Sequence, residues 1–207
     1  MSGRLKSAPM NHRVLLSIVG ICFSFLVSIE AKANPPECNV NHPYNRLLWE
    51  PGSGSGKKSK WFEWWYYKDV DPQTGQAFFW SYGVINPKDP ENLTGHADAF
   101  VSFGDFTQKF IVENRFPIKD FSGSSESSAI SIGPNYSDGE VMRGSIKNAD
   151  HEVSWDLRMQ CDWSFNAMSW STGIQHASNI YWYPVQSSAR MSGQVKVDGV
   201  TYLLDRA

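Results

Sequence analysis

The sequence predicts an all-β protein with antiparallel strands, arranged as a barrel or a sandwich. Three observations support this fold class. Short β-rich runs alternate in polarity with a period of two, as strands with one buried face do. Turn residues separate these runs, and Asp198-Gly199 between two such runs is typical of a tight hairpin. No stretch after the first 33 residues has helical periodicity with caps.

About ten strands are predicted, and the clearest runs from His151 to Met159. Its apolar residues, such as Val153 and Trp155, alternate with polar ones, which indicates a half-buried strand. The Asp-Gly pair connects the last two strands. The other predicted strands cover residues 61–68, 78–84, 97–103, 109–115, 129–132, 141–146, 180–183, 194–197 and 200–204.

The first 33 residues have the three parts of a secretory signal peptide. Arg13 provides the basic start, Val14–Ser28 is an apolar run of about 15 residues, and Ala31–Ala33 forms an A-x-A exit. The run is shorter than the roughly 20 residues that span a bilayer. We therefore predict cleavage after Ala33, with Met10 as an alternative start, and a secreted or periplasmic protein without a transmembrane anchor.

The composition of the remaining 174 residues narrows the class of partner. They hold 15 basic and 20 acidic residues and no basic cluster of the kind that binds nucleic acid. Aromatic residues make up 14% of the full chain, and nine of them are tryptophans. Such side chains hold apolar ligands well. The sequence favours a hydrophobic small molecule as partner, near a membrane surface, and excludes a nucleic acid.

The cysteines agree with export. Cys22 lies in the predicted signal peptide, so Cys38 and Cys161 are the only two left after cleavage. Two thiols in an oxidising compartment are most often a disulfide, with a free buried pair as the alternative. Neither cysteine lies in a C-x-x-C motif.

Residues 34–60 read as a flexible segment that precedes the β-domain at 61–207. Its glycines and serines in 51–60 do not support regular structure. The run lacks the G-K-[ST] ending of a phosphate-binding loop.

The most unusual segment is Trp61–Lys68, with the sequence W-F-E-W-W-Y-Y-K. On a strand, Trp61, Glu63, Trp65 and Tyr67 share one face, and Phe62, Trp64, Tyr66 and Lys68 share the other. If that face lines a cavity, burial favours a protonated Glu63 that can act as a proton donor. Alternatively, Glu63 lies at a rim or pairs with an arginine such as Arg115, and has a structural role.

His96 and Asp98 form the second candidate site, because i and i+2 share a strand face. Such a pair can share a proton or provide two metal ligands. The spacing identifies no third ligand, so we predict no metal and no cofactor. The sequence has no G-x-S-x-G motif, which disfavours hydrolase chemistry.

Trp61–Lys68 resembles the F-E-G-W-Y-[FY]-[KR] opening of the tocopherol cyclase family. It is also similar to the E-W-W-Y element of carotenoid hydratases (hydroxyneurosporene synthases) and AttH-like proteins. The stretch Ser188–Tyr202 resembles a mid-chain hairpin of that superfamily, and Phe116-Pro-Ile and Trp155-Asp-Leu are compatible in order. Trp64 stands where the cyclases have Gly, which favours the hydratase or AttH-like side.

The resemblance implies a lipocalin-like fold that holds an isoprenoid or polyene, with a double bond protonated by a carboxyl group. Glu63, Asp98 and His96 are then the catalytic candidates. The chain stops at Ala207, before the second β-domain of that family, so we expect an N-terminal half of a longer protein. The predicted ligand-binding residues are Trp61, Trp64, Trp65, Tyr67, Trp80 and Tyr82.

Three classes of function follow. The first is an exported isoprenoid- or polyene-binding protein that acts as an acid-catalysed cyclase or hydratase. The alternative is a non-catalytic carrier of lipids or an envelope-associated binding module. A purely structural β-domain is expected if the fold encloses no cavity of a few hundred Å³.

Overall fold

A computed structural model of the chain describes residues 38–42, 45–48, 61–87, 89, 91–93, 95–164 and 182–205. The chain divides into two units, Met1–Asn34 and Pro35–Ala207, and every described residue belongs to the second. The predicted signal peptide and the Gly/Ser-rich run at 51–60 lie outside the described residues.

The described residues form eleven strands and one 3-10 helix, Ile118–Asp120, between β4 and β5. This part of the chain has no α-helix, so the predicted all-β class is confirmed. It likewise holds no helix long and apolar enough to cross a membrane. The strands are β1 (Phe62–Val70), β2 (Ala77–Ile85), β3 (Asp98–Asp105), β4 (Phe110–Pro117), β5 (Phe121–Gly123), β6 (Ile130–Ile132), β7 (Asn135–Ser137), β8 (Val141–Lys147), β9 (Glu152–Trp163), β10 (Ser188–Val197) and β11 (Val200–Asp205).

The strands form two antiparallel sheets, each a meander in which consecutive strands pair. The first has the order β1-β2-β3-β4, and the second has the order β11-β10-β9-β8-β7-β6-β5. Because the two sheets are not joined by strand pairing, the described fold is a sandwich rather than a closed barrel.

The core lies between the two sheets and is rich in aromatic rings. Trp155 of the second sheet packs edge-on against Trp80 of the first, with 6.5 Å between ring centroids. It also stacks against Phe103 of β3 at 6.4 Å. Phe78 on β2 meets Tyr202 on β11 edge-on at 5.4 Å. These contacts bury the inward side chains of both sheets, which is the main source of stability in such a fold.

The predicted hairpin at Asp198-Gly199 is present between β10 and β11. Asp198 has φ of 50° and Gly199 has φ of 85°, as the two-residue turns favoured by right-handed strand twist require. The Asp198 carboxylate accepts the backbone N–H of Glu152 at 2.8 Å and lies 2.8 Å from His151 Nδ1. These two hydrogen bonds, chiefly the one with His151, lower the pKa of Asp198 and join the hairpin to the start of β9.

The described strands agree with most of the predicted ones and show where the pattern was insufficient. β5 (Phe-Ser-Gly) and β7 (Asn-Tyr-Ser) were not predicted, because neither has two apolar residues at a spacing of two, whereas the equally short β6 (Ile-Ser-Ile) does and lies in the predicted run at 129–132. The predicted strand at 180–183 lies partly outside the described residues, and Trp182 and Tyr183 belong to no strand.

The predicted disulfide is present between Cys38 and Cys161. Their Cα atoms are 5.9 Å apart, and 123 positions separate them in sequence. The bond attaches the segment before the sandwich to β9. Nearby, the backbone N–H of Leu47 donates to the Ser124 carbonyl at 3.1 Å, and the Leu47 side chain is buried in the core. Residues 45–48 are therefore part of the folded domain.

Candidate functional site

The alternation of β1 assigns its side chains to two different surfaces. Glu63, Trp65 and Tyr67 point inward, so the predicted shared face exists. Trp61, immediately before the strand, is half-buried. Trp64 points to the outer surface of the sheet and is 42% exposed. Aromatic side chains thus cover both faces of this one strand.

Trp80 and Tyr82, two of the predicted ligand-binding residues, belong to the core. Both side chains have no exposed surface. The Trp155 indole N–H donates to the Tyr82 hydroxyl at 3.0 Å, and this hydroxyl donates to the Tyr136 carbonyl at 3.3 Å. Burial raises the pKa of Tyr82 above its usual range. The Tyr82 hydroxyl therefore joins the two sheets as a neutral group.

The polar atoms of Trp65 and Tyr67 also form hydrogen bonds within the protein. The Tyr67 hydroxyl lies 2.7 Å from the Ser137 hydroxyl on the opposite sheet, and burial raises the pKa of Tyr67 to about 12. The Trp65 indole N–H donates to the Asn45 carbonyl at 3.0 Å. The polar atoms of these inward aromatic residues are thus used to connect the first sheet to its neighbours.

Glu63 holds the chain that precedes the sandwich. Its two carboxylate oxygens accept the backbone N–H of Leu48 at 3.0 and 3.1 Å. The Trp61 indole N–H lies 3.4 Å from one of them. A carboxylate is a strong acceptor for backbone N–H groups. This arrangement supports the structural alternative for Glu63, while its catalytic role stays a prediction.

Replacement of Glu63 by glutamine should lower the free energy of unfolding by about 1 kcal/mol. The amide oxygen still accepts the Leu48 N–H, but a hydrogen bond to a charged group stabilises more than a neutral one by roughly that amount. Urea denaturation measures the change, and Glu140→Gln at an exposed position is the control. An identical unfolding midpoint for Glu63→Gln and the unmodified protein would contradict the structural role.

The other two catalytic candidates lie elsewhere. β3 begins at Asp98, so His96 precedes the strand, and its side chain is exposed. Arg115 donates to Asp98 at 2.6 Å and to Glu113 at 3.1 Å, and these interactions raise the pKa of Arg115. Asp98 lies on the outer surface of the sheet and Glu63 on the inner one. The structure therefore does not bring the two predicted acids together.

A metal centre is not found among the residues that the structure describes. No group of three or more His, Cys, Asp or Glu side chains in this part of the chain is placed to hold an ion.

The outer surface of the first sheet is covered with aromatic rings. Register places Trp64 beside Gly83, Phe100 and Arg115, and places Tyr66 beside Ser81, Ser102 and Glu113 in the next row. The following row contains Lys68, Phe79, Gly104 and Ile111. We call this surface the outer aromatic face and define it by Phe62, Trp64, Tyr66, Phe79, Phe100 and Phe106.

Neighbouring rings of the outer aromatic face stack in pairs. Phe62 and Trp64 lie 5.1 Å apart between centroids, with 10° between their planes. Tyr66 and Phe79 are 5.8 Å apart, with 21° between planes. A stacked contact covers one side of each ring, yet Phe62 and Tyr66 are each 51% exposed. The rings are ordered against each other and still accessible from solvent.

Two glycines make room for rings that lie on the sheet. A Cβ atom at Gly83 would collide with the ring of Phe100, and one at Gly104 would collide with the ring of Phe79. Because glycine has no Cβ, these rings approach the backbone closely. The guanidinium of Arg115 lies 6.0 Å from the centre of the Phe100 ring, on the same surface.

Gly83→Ala should destabilise the fold by about 1–3 kcal/mol, the usual cost of forcing an added methyl group into a packed position. The Phe100 ring must move away from the sheet, so its contact with Arg115 should also change. Thermal unfolding by circular dichroism measures the loss, and Ser81→Ala on the same strand and face is the matched control. A Gly83→Ala protein as stable as the control would show that the ring does not depend on this glycine.

The sequence interpretation placed Trp64 on the second face of the strand and listed it as a ligand-binding residue, but it did not identify that face as a site of its own. Phe62, Tyr66, Phe79 and Phe100 were not candidates. The signal was present, because a period of two applied to Trp61–Lys68 gives aromatic residues on both faces.

Comparison of the chain with family models, curated proteins and solved structures finds no match.

Proposed function

We propose that this protein is a non-catalytic binding module whose ligand lies on the outer aromatic face. The observation that carries this proposal is the row of half-exposed rings at Phe62, Trp64 and Tyr66 on β1. Large apolar side chains that lie together on a protein surface usually mark an interaction site. Tyr and Trp are also the residues most enriched where proteins bind partners.

Packing between the sheets favours the outer face over the interior. An internal ligand would compete with the contacts of Trp80 and with the hydrogen bonds of Tyr82 to Trp155 and Tyr136. Breaking them leaves buried polar groups without partners, at a cost of about 1–3 kcal/mol for each group. The outer face needs no such rearrangement.

The positions of the candidate acids favour binding over catalysis. Glu63 binds the Leu48 backbone, and Asp98 is held by Arg115. The lipocalin-like ligand site and the cyclase or hydratase chemistry remain predictions of the family resemblance. The alternative of an envelope-associated binding module is the one that agrees with an exposed aromatic face.

Nile red, a neutral dye that fluoresces in apolar surroundings, tests where the protein binds. We expect dye bound by the purified protein to be lost in the double variant Trp64→Ala/Tyr66→Ala, with affinity reduced about tenfold or more. The control is Trp182→Ala, which removes an exposed tryptophan outside this sheet. Dye binding that is equal in the unmodified protein and in the double variant would overturn the proposal and indicate a site elsewhere in the protein.

A further inference from the structure

We infer that the ligand of the outer aromatic face is a neutral carbohydrate chain. This inference rests on the proposed function and adds the chemical class of the ligand. It follows from four properties of the face: the kind of rings, the polar groups between them, the balance of charge and the shape of the surface.

The rings suit a ligand that is apolar on its faces and polar at its edges. A sugar ring presents C–H groups on its faces and hydroxyl groups around its edge. Trp64 and Tyr66 are themselves amphipathic, since each has an apolar ring and one hydrogen-bonding group. Stacking with sugar rings would cover the exposed half of each aromatic ring while the sugar hydroxyls stay in contact with water or protein.

Hydrogen-bonding groups lie in the same rows as the rings. Tyr66 is in register with Ser81, Ser102 and Glu113, and the Ser102 hydroxyl donates to Glu113 at 3.0 Å. The Arg115 side chain, 58% exposed, extends over Phe100 between Glu113 and Asp98. Ser102 is buried beneath this row, whereas the Ser81 hydroxyl, the Glu113 carboxylate and the Arg115 guanidinium together can both accept and donate hydrogen bonds, as a polyhydroxyl ligand requires.

The charges on this face cancel. Lys68 and Arg115 are the two cations, and Asp98 and Glu113 are the two anions among the described side chains of the face. A nucleic acid or an anionic lipid surface is bound by an excess of Lys and Arg. The cancellation favours an uncharged ligand.

The shape of the face favours an extended chain. Small apolar molecules bind in concave sites that bury most of their surface, whereas the outside of a sheet covers only one side of a ligand. Phe62, Trp64 and Tyr66 succeed each other along β1 at steps of about 7 Å. A linear ligand that runs along this strand contacts all three positions, and each contact contributes to its binding free energy.

The test measures retention of the protein, purified from cells that express the full-length chain, on a panel of neutral insoluble polysaccharides. The panel holds cellulose, chitin, xylan, mannan and starch. Vesicles of phosphatidylcholine and of phosphatidylglycerol are tested in parallel, and sedimentation velocity reports self-association. We expect retention on at least one polysaccharide and none on either type of vesicle.

Variants locate the binding on the face. Trp64→Ala and Tyr66→Ala should each weaken retention by about tenfold. Tyr66→Phe keeps the ring and should keep most of the binding. Trp182→Ala is the matched control for the loss of an exposed tryptophan and should bind like the unmodified protein. Circular dichroism confirms that each variant is folded.

The outcomes separate this inference from the proposed function. Retention on no polysaccharide overturns the carbohydrate ligand. If vesicles bind through Trp64, or if the protein self-associates through it, the face still binds but its partner is a lipid or a second copy. If Trp64→Ala changes neither Nile red nor polysaccharide binding, both the ligand class and the proposed face are wrong.

Discussion

Loss of the disulfide between Cys38 and Cys161 should lower the free energy of unfolding by about 5 kcal/mol. The bond closes a loop spanning 123 positions, and a loop of this size removes much conformational entropy from the unfolded chain. The cost is comparable to the whole stability of many domains of this size. We expect the double variant Cys38→Ala/Cys161→Ala to unfold at a far lower urea concentration.

Reductant provides the control for this expectation. Dithiothreitol should lower the unfolding midpoint of the unmodified protein and leave that of the double variant unchanged. Titration of the denatured, unreduced protein after signal cleavage should find no free thiol, since Cys22 lies in the predicted signal peptide. Two free thiols per chain, or a midpoint insensitive to reductant, would contradict the prediction.

Trp80→Ala should cost about 3–5 kcal/mol of stability, as large-to-small substitutions of buried aromatic residues do. Trp80 has no exposed surface and contacts Phe78, Phe103 and Trp155. Removal of its ring leaves a cavity between the two sheets. Equilibrium denaturation measures this effect.

Trp64→Ala is the matched control, because it removes the same side chain from the opposite face of the same sheet. It should cost well under 1 kcal/mol beyond the loss of its stacking with Phe62. It should instead reduce ligand binding. If Trp80→Ala were the harmless substitution and Trp64→Ala the destabilising one, the assignment of core and binding face would be reversed.

Much of the fold could be predicted from the sequence because its pattern is local. The alternation in β9 and the turn at Asp198-Gly199 depend on neighbouring residues and are present as expected. The strands β5 and β7 lack such alternation and are defined only by their backbone pairing with the neighbouring strands β6 and β8. Closure into a barrel or opening into a sandwich depends on which sheet edges pair, and that choice is made at long range.

The candidate site was harder to predict for a related reason. The composition of Trp61–Lys68 indicates that it is unusual but does not say which face is buried. Trp80 was taken as a ligand contact because aromatic cores and aromatic pockets have the same sequence pattern. The pairing of Asp98 with Arg115 joins β3 to β4, and the sequence suggested Arg115 only as a partner for Glu63.

The aromatic character of both faces of β1 has a consequence for folding fidelity. A shift of one residue in strand register would exchange the two faces, and hydrophobicity alone gives little preference between them. The register must then be selected by hydrogen bonds of the inward side chains, because their partners are in place in only one of the two alignments. Trp65 bonds to Asn45, Tyr67 bonds to Ser137, and Glu63 receives the Leu48 N–H. Two of these three partners, Asn45 and Leu48, lie in the short segment before the sandwich. This segment therefore helps to fix the register of β1, and with it which row of aromatic rings is buried and which is exposed.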